Sequence, residues 1–195
     1  MNESIQLSPQ IFLGQAPGHP GRLIFNQVPS HAFGDGSHPT TRLCAGIVDF
    51  ICRTSRPEKV LDVGTGTGVL ARIARARGAR EVVATDIDPE ALRAAFENSS
   101  LDAGLVPIEI SDQAPNHWGP RFDLVIANIL EGPLRELARS LHESVRPGGR
   151  LLISGFTRAQ IPGLTLAFCI VGFSPEPQKA ELNDWAALVF RKDPS

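Results

Sequence analysis

The 195-residue chain lacks several features that would place it in a specialised class of protein. Its three cysteines, Cys44, Cys52 and Cys169, form no C-x-x-C pair. That spacing argues against a disulfide framework or a zinc site, and we expect buried, reduced thiols. The five histidines are dispersed without the spacing of metal ligands, so we predict no metal site.

The chain also lacks a long apolar run and a block of basic residues. No apolar stretch approaches the roughly 20 residues that span a bilayer, and the N-terminus has neither the basic nor the apolar segment of a signal peptide. We therefore expect a cytoplasmic protein with no membrane partner. The formal net charge is -2 and the arginines are scattered. Because binding to a phosphate backbone requires clustered cations, we predict no direct nucleic-acid partner.

What is present is the composition of a globular domain, with 42% hydrophobic and 21% charged residues. From residue 59 onward, short apolar runs alternate with amphipathic stretches, which predicts βα units around a mostly parallel sheet. We predict strands at 59–64, 81–88, 107–112, 122–130 and 150–156. Helices are predicted at 39–55, at 68–78, after an N-cap at Asp88 and at 133–149, where Pro147 and Gly148 end the helix.

The two ends of the chain depart from this alternation. Before residue 31 the pattern predicts only one strand, within residues 21–30, and the first helix is expected to have Thr40 or Thr41 near its N-cap. Near the C-terminus, "LAFCIVGF" (166–173) and "WAALVFRKD" (185–193) are apolar runs on either side of a Pro-rich stretch. Two late strands without a long helix between them predict an antiparallel hairpin at the sheet edge.

A Gly-rich turn, "VLDVGTGTG", follows the first strand of the alternating region and places Gly64, Gly66 and Gly68 before a helix. Glycine there lets the backbone approach a ligand closely. Asp86 follows 22 residues after Gly64, at the end of the next strand, where a carboxylate can accept hydrogen bonds from ribose hydroxyls. This pair predicts an adenosine cofactor, of either a nicotinamide enzyme or a methyltransferase; a tight turn without a ligand is the alternative. Asp112, at the end of the third strand, is expected either to contact the adenine amine, as a carboxylate there commonly does in the methyltransferase fold, or to cap a turn.

Four motifs in order, "AFGDGSHPTT", "VLDVGTGTGVL", "ATDIDPEAL" and "IANILEGPLRELA", closely resemble the bacterial ribosomal-protein lysine methyltransferase family PrmA, whose target is protein eleven of the large subunit. The resemblance covers residues 30–192, including Trp185. It implies a Rossmann-like class I fold that uses S-adenosylmethionine, with a seven-stranded, mostly parallel sheet, a C-terminal antiparallel hairpin and helices on both faces. The domain then spans residues 31–195, after a short N-terminal extension at 1–30.

The resemblance also implies site residues. The first loop, "FGDGSHPTT", would fold across the cofactor, with Thr41 and the helix N-terminus beside the methionine carboxylate; a plain capped helix entry is the alternative. Asn128 is predicted to bind cofactor and, as the catalytic residue, to orient the acceptor amine. The other predicted cofactor contacts are Phe33, Gly34, Asp62, Gly64, Gly66, Gly68, Asp86, Ile87 and Asp112.

The acceptor is expected to be an amine of a protein, either a lysine or an N-terminus, with a ribosomal protein among the candidate substrates. The alternatives are a small-molecule amine or hydroxyl and a non-catalytic cofactor-binding scaffold. A nucleic-acid adenine methyltransferase is disfavoured because Asn128 is followed by Ile129 and Leu130 and the chain has no tyrosine to stack on a base.

The sequence departs from the family pattern in the loop, where Asp35 and Ser37 replace threonines, and after Asn128, where Glu131 replaces an alanine. Asp35, His38 and Glu131 are secondary candidates for a proton acceptor. The family also carries an N-terminal recruiting domain, whereas only about thirty residues precede the first loop here. We therefore expect either a truncated or minimal relative or a different substrate.

Overall fold

A seven-stranded sheet forms the centre of the computed structural model, which describes residues 4–14, 22–102 and 104–194. Its spatial order is β6-β5-β4-β7-β8-β10-β9, and β10 runs opposite to the other six strands. The strands are β4 (Lys59–Val63), β5 (Glu81–Thr85), β6 (Glu109–Ser111), β7 (Phe122–Asn128), β8 (Val145–Thr157), β9 (Phe173–Leu182) and β10 (Trp185–Lys192). The predicted fold class is confirmed: a mostly parallel sheet with a C-terminal antiparallel hairpin.

Helices cover both faces of this sheet. They are α1 (Pro39–Ser55), α2 (Val69–Ala76), α3 (Pro89–Ser100), α4 (Glu131–Glu136), α5 (Ala138–Ser144) and α6 (Ile161–Ile170), with 3-10 turns at Pro115–Trp118 and Arg158–Gln160. Alternate residues of β7 enter different apolar clusters: Leu124 and Ile126 pack with α1 and α2, whereas Val125 and Ala127 pack with α4, α5 and α6. This period of two explains why the buried strands are continuously apolar.

The N-terminal residues form a second, three-stranded sheet of β1 (Ile5–Ser8), β2 (Ile11–Leu13) and β3 (Leu23–Phe25). The strand predicted within 21–30 is therefore present at Leu23–Phe25, and residue 21 lies outside the described residues. Side chains of this sheet, including Leu7, Ile11 and Phe25, belong to the same apolar cluster as α1 and α2. The domain boundary at residue 31 stays a prediction. The strands before residue 31 pack into the same hydrophobic core as the helices after it.

Two predicted elements near the C-terminus are wrong. The helix expected at 133–149 consists of α4 and α5 and ends at Ser144, because Val145 already pairs with Phe122 of β7 and is fully buried there. The apolar run at 166–173 lies largely in α6 and not in a strand, since Leu164 and Phe168, four residues apart, bury one helix face.

The hairpin is formed instead by β10 and the Pro-rich segment, which is β9. Prolines remove ladder hydrogen bonds and are tolerated in a sheet mainly on edge strands, and β9 is one of the two edge strands. Its run of charged and Pro residues therefore concealed a strand from the sequence pattern.

The cysteines follow the prediction in part. Cys44 and Cys52 are buried, and burial raises the pKa of each thiol to about 12, whereas Cys169 is exposed on α6. The described residues include no group of three or more His, Cys, Asp or Glu side chains placed to share a metal ion. Within the same ranges, no helix is long and apolar enough to cross a membrane.

Candidate functional site

A cavity of about 650 Å³ opens at the carboxyl ends of the parallel strands. It lies where the chain order of the sheet reverses, between β4 and β7, which is where open α/β sheets bind ligands. Its volume lies within the range of small-molecule sites. Of the predicted site residues it is lined by Phe33, Gly64, Gly66, Asp86, Ile87, Asp112 and Asn128, and not by Gly34, Thr41, Asp62 or Gly68.

The Gly-rich turn between β4 and α2 forms the floor of the cavity. Gly64 and Gly66 have φ of +68° and +54°, and an added Cβ would overlap the Ile129 side chain and the Phe33 carbonyl oxygen, respectively. Gly68 serves packing instead, since its Cβ would lie 3.2 Å from Ala95 of α3. Glycine is thus required for the close approach of neighbouring segments as well as for any ligand.

The first Gly-containing loop, residues 31–38, lies directly on this turn, and we call it the lid loop. Thr67 donates two hydrogen bonds of 2.8 Å to it, from its backbone N to Phe33 O and from Oγ1 to Gly34 O. The loop therefore does more than lead into a helix. It forms one wall of the cavity, and Gly34 holds that wall in place without lining the cavity itself.

His38, and not Thr40 or Thr41, is the N-cap of α1. Its Nδ1 accepts a 3.3 Å hydrogen bond from the Thr40 backbone N, and its ring packs between Phe33 and Trp185 at centroid distances of 5.2 and 4.6 Å. Thr40 borders the cavity but is fully buried, and its Oγ1 lies 2.8 Å from His38 Nδ1. Thr41 is 1% exposed, and its hydroxyl has no hydrogen-bond partner among the described residues. A Thr41 contact with a cofactor stays a prediction, and Thr40 is the threonine that reaches the cavity.

Asp86 lies half-buried at the end of β5. One carboxylate oxygen accepts a 3.0 Å bond from Gly66 N, and the other accepts a 3.1 Å bond from Asp88 N. Each oxygen retains a lone pair, so the carboxylate can also accept from two hydroxyls. Ile87 beside it is 96% exposed and offers an apolar surface at the cavity, and the exposed Asp112, which follows β6, lines the cavity as well.

Asp62 lies beneath the Gly-rich turn and stabilises it. Its Oδ2 accepts hydrogen bonds from Thr65 Oγ1 at 2.6 Å and from Ala71 N at 3.2 Å. Burial raises the pKa of Asp62 to about 6, an effect that these two hydrogen bonds oppose and the charge of Asp86 reinforces. The structure gives Asp62 a role in shaping the turn, and its contact with a cofactor stays a prediction.

Asn128, the last residue of β7, is 8% exposed and faces the cavity. Its Oδ1 has no hydrogen-bond partner among the described residues. A buried carbonyl without a partner costs about 1–3 kcal/mol, so a ligand that donates a hydrogen bond at this point fits the site.

The secondary candidates for a proton acceptor are largely engaged elsewhere. Asp35 is exposed and accepts from Ser37 N and Oγ at 2.9 and 2.6 Å. Glu131 accepts from Arg135 at 2.8 Å and from Gln160 at 2.6 Å. Neither carboxylate lines the cavity, whereas His38 does.

Several lining residues escaped the sequence-based prediction, among them Gly155, Leu130, Pro133 and Leu137. Gly155 has φ of +97°, and a Cβ there would overlap the Ile129 backbone. Its position near the carboxyl end of a predicted strand was a usable signal, because parallel strands end at a common edge. Leu130, Pro133 and Leu137 carry no comparable signal, since apolar residues around a helix start are usually core.

The sheet order, the Gly-rich turn after β4 and the acid after β5 together define a Rossmann-like methyltransferase fold. The chain belongs to the PrmA family: the family model described as "Ribosomal protein L11 methyltransferase (PrmA)" matches residues 10–193. The resemblance inferred from the four motifs is thereby confirmed.

Individual relatives agree. The ribosomal protein L11 methyltransferase of Bradyrhizobium diazoefficiens is 39% identical over 179 residues, which cover 89% of this chain and 60% of that protein. The chain thus spans less than two thirds of the length of this curated relative. A crystal structure of ribosomal protein L11 methylase from Lactobacillus delbrueckii subsp. bulgaricus superposes with a TM-score of 0.85 at 31% identity and covers 97% of this chain and 98% of that one.

A more distant structure shares the fold alone. The N-methyltransferase NodS from Bradyrhizobium japonicum WM9, solved with S-adenosyl-L-homocysteine, has a TM-score of 0.62 at 13% identity, with 80% of this chain and 89% of that one covered.

Proposed function

We propose that this chain is an S-adenosylmethionine-dependent methyltransferase that methylates an amine nitrogen of a protein. The observation that carries the proposal is the partnerless Oδ1 of Asn128, which faces the same cavity as the Asp86 carboxylate. Asn128 Oδ1 would accept a hydrogen bond from the amine nitrogen that becomes methylated, and the Asp86 carboxylate would accept hydrogen bonds from the ribose hydroxyls. The relatives named above support a protein as the acceptor.

Different residues around the cavity would bind different parts of the cofactor. Asp86 would accept from the ribose hydroxyls, while Ile87 and Asp112 would hold the adenine ring and its amine. The start of α1, where Thr40 lines the cavity, suits the methionine carboxylate, because a helix N-terminus favours negative charge. When bound, the cofactor supplies an electrophilic methyl group on a positively charged sulfur.

At the acceptor end, the chain orients and desolvates the amine. Asn128 Oδ1 accepts a hydrogen bond from the amine and leaves the nitrogen lone pair free to face the cofactor, and such alignment is a large part of the rate gain in bimolecular reactions. Leu130, Pro133, Leu137 and Trp185 line this end without a charge. An apolar wall disfavours the ammonium form and therefore helps the amine to lose its proton before attack.

The proposal is tested by transfer of label. The protein is incubated with S-adenosylmethionine labelled in the methyl group and a bacterial lysate separated into macromolecular and small-molecule fractions. We expect label in the macromolecular fraction, sensitive to protease and resistant to nuclease. Asp193→Ala, which removes an exposed acid bonded only to Ser174 among the described contacts, is the matched control for substitutions of cavity residues and should transfer label normally.

Other outcomes contradict the proposal in different ways. Label confined to the small-molecule fraction would identify a metabolite methyltransferase. Nuclease-sensitive label would identify a nucleic-acid substrate. Cofactor binding without transfer to either fraction would favour a cofactor-binding scaffold. The expected cytoplasmic location is compatible with a ribosomal-protein acceptor and remains part of the proposal.

A further inference from the structure

Thr67 holds two consecutive carbonyls of the lid loop, although it does not line the cavity. It is 1% exposed, and its backbone N and its Oγ1 donate to Phe33 O and Gly34 O, both at 2.8 Å. Gly34 has φ of +106°, and a Cβ there would lie 2.7 Å from Thr67 Oγ1. The two residues therefore depend on each other: the absence of a Cβ at Gly34 allows the two segments to approach closely, and the Thr67 hydroxyl donates a hydrogen bond across the contact.

Asn98 of α3 supports this contact from below and is fully buried. Its Nδ2 donates to Thr67 O at 2.9 Å, and its Oδ1 accepts from Val28 N at 2.7 Å. A side-chain amide presents a donor and an acceptor side by side in this way. One buried chain of hydrogen bonds thus joins the segment before the lid loop, the Gly-rich turn and α3.

This chain of bonds bears on the cavity through the residues that the lid loop carries. Phe33 and His38 line the cavity, and the His38 ring contacts Trp185, which also lines it. If the lid loop lifts, the Phe33 and Gly34 carbonyls lose their hydrogen-bond partners. The loss of these two bonds lowers the equilibrium constant for opening by a factor of several to about a hundred. The loop is thereby held closed on the turn before any ligand arrives.

We propose that Thr67 and Asn98 are positioning residues for methyl transfer, acting through the lid loop and not by touching the reactants. The part of this inference that concerns ligand binding rests on the proposed function. The effect of Thr67 and Asn98 on the lid loop does not depend on that function and can be measured without a ligand.

The test compares Thr67→Val, which is nearly isosteric but removes the hydroxyl, with Thr67→Ser, which restores it. Ser144→Ala is the control, since Ser144 is also buried and its Oγ donates over 2.8 Å to a backbone carbonyl, but at the amino edge of the sheet. Hydrogen exchange is followed by mass spectrometry in peptides covering residues 28–38 and β7, and affinity for S-adenosylhomocysteine is measured by calorimetry.

In Thr67→Val we expect exchange at 28–38 to accelerate about tenfold or more, with β7 unchanged, and S-adenosylhomocysteine to bind about tenfold more weakly. Thr67→Ser and Ser144→Ala should behave as wild type in both measurements. Should Thr67→Val not fold, Thr67→Ala removes the same hydroxyl with less bulk. Asn98→Ala should accelerate exchange in the same segment.

Unchanged exchange at 28–38, equal acceleration in β7, or no rescue by serine would overturn the positioning role. Failure of the wild type to bind S-adenosylhomocysteine would instead remove the proposed function. In that case the exchange measurement still decides whether Thr67 holds the lid loop.

Discussion

Replacing Asn128 by alanine should separate catalysis from folding. The Oδ1 of Asn128 has no hydrogen-bond partner among the described residues although the residue is only 8% exposed. Removing this oxygen breaks no intramolecular hydrogen bond and relieves a buried unpaired carbonyl worth about 1–3 kcal/mol, against some lost packing of the amide. We therefore expect the free energy of unfolding without ligand to stay within about 1 kcal/mol of wild type, or to rise.

The expected effect on turnover is far larger. Loss of a single oriented hydrogen bond in an active site typically lowers kcat by about 10²–10³, or roughly 3–4 kcal/mol of transition-state stabilisation. The affinity for S-adenosylmethionine should change only a few-fold, because Asp86, Ile87 and Asp112 are unaffected. A low kcat with near-normal cofactor binding is thus the expected signature of Asn128→Ala.

Three measurements on the same preparation check this expectation: urea unfolding, calorimetric titration with cofactor and single-turnover methyl transfer. An unchanged turnover would refute the role of Asn128 in orienting the acceptor. A loss of several kcal/mol in the free energy of unfolding would show that the amide serves the fold, contrary to the reasoning from its unpaired oxygen.

Three further predictions concern stability and are checked by urea unfolding. The folded pKa of Asp62 is raised to about 6, above its unfolded value of 3.8, so its contribution to the free energy of unfolding is complete at low pH and is lost as pH rises through 6. Between pH 4 and 7, the wild type should therefore lose up to about 3 kcal/mol of that free energy relative to Asp62→Asn. The same pH dependence of the free energy of unfolding in both proteins would contradict this. Gly66→Ala should cost about 2 kcal/mol or more because its Cβ overlaps Phe33 O, whereas Gly46→Ala, in open space within α1, should gain about 0.5–1 kcal/mol. Asp102→Ala should cost about 3–5 kcal/mol, since it removes the carboxylate that pairs with two buried arginines of α2, and a loss below 1 kcal/mol would show that their other contacts suffice.

Elements with strong local signals were predictable from the sequence. The bounds of α1 agree with the prediction, and Asp88 caps α3 through a 2.9 Å bond from Glu90 N as its spacing with Pro89 indicated. The edge hairpin was predicted as a topology but with the wrong first strand. Edge position, which only tertiary structure defines, is what allows the prolines of β9 in a sheet.

The candidate site was predictable where it follows the strand ends, as at Asp86 and Asn128. The structure of the lid loop was not, because it depends on contacts distant in sequence: the bond from Thr67 to Gly34 spans 33 positions. The choice between Thr40 and Thr41 depends in the same way on the helix start. His38 takes the N-cap position, so that both threonines are buried and only Thr40 borders the cavity.

The central claim is that the lid loop and the Gly-rich turn enclose a single S-adenosylmethionine site in which Asp86 holds the ribose. Calorimetric titration of the cofactor into wild type, Asp86→Ala and the Asp193→Ala control tests it most directly. We expect micromolar binding to wild type and to the control, and loss of binding in Asp86→Ala. No binding to wild type, or equal binding to Asp86→Ala, would contradict the account.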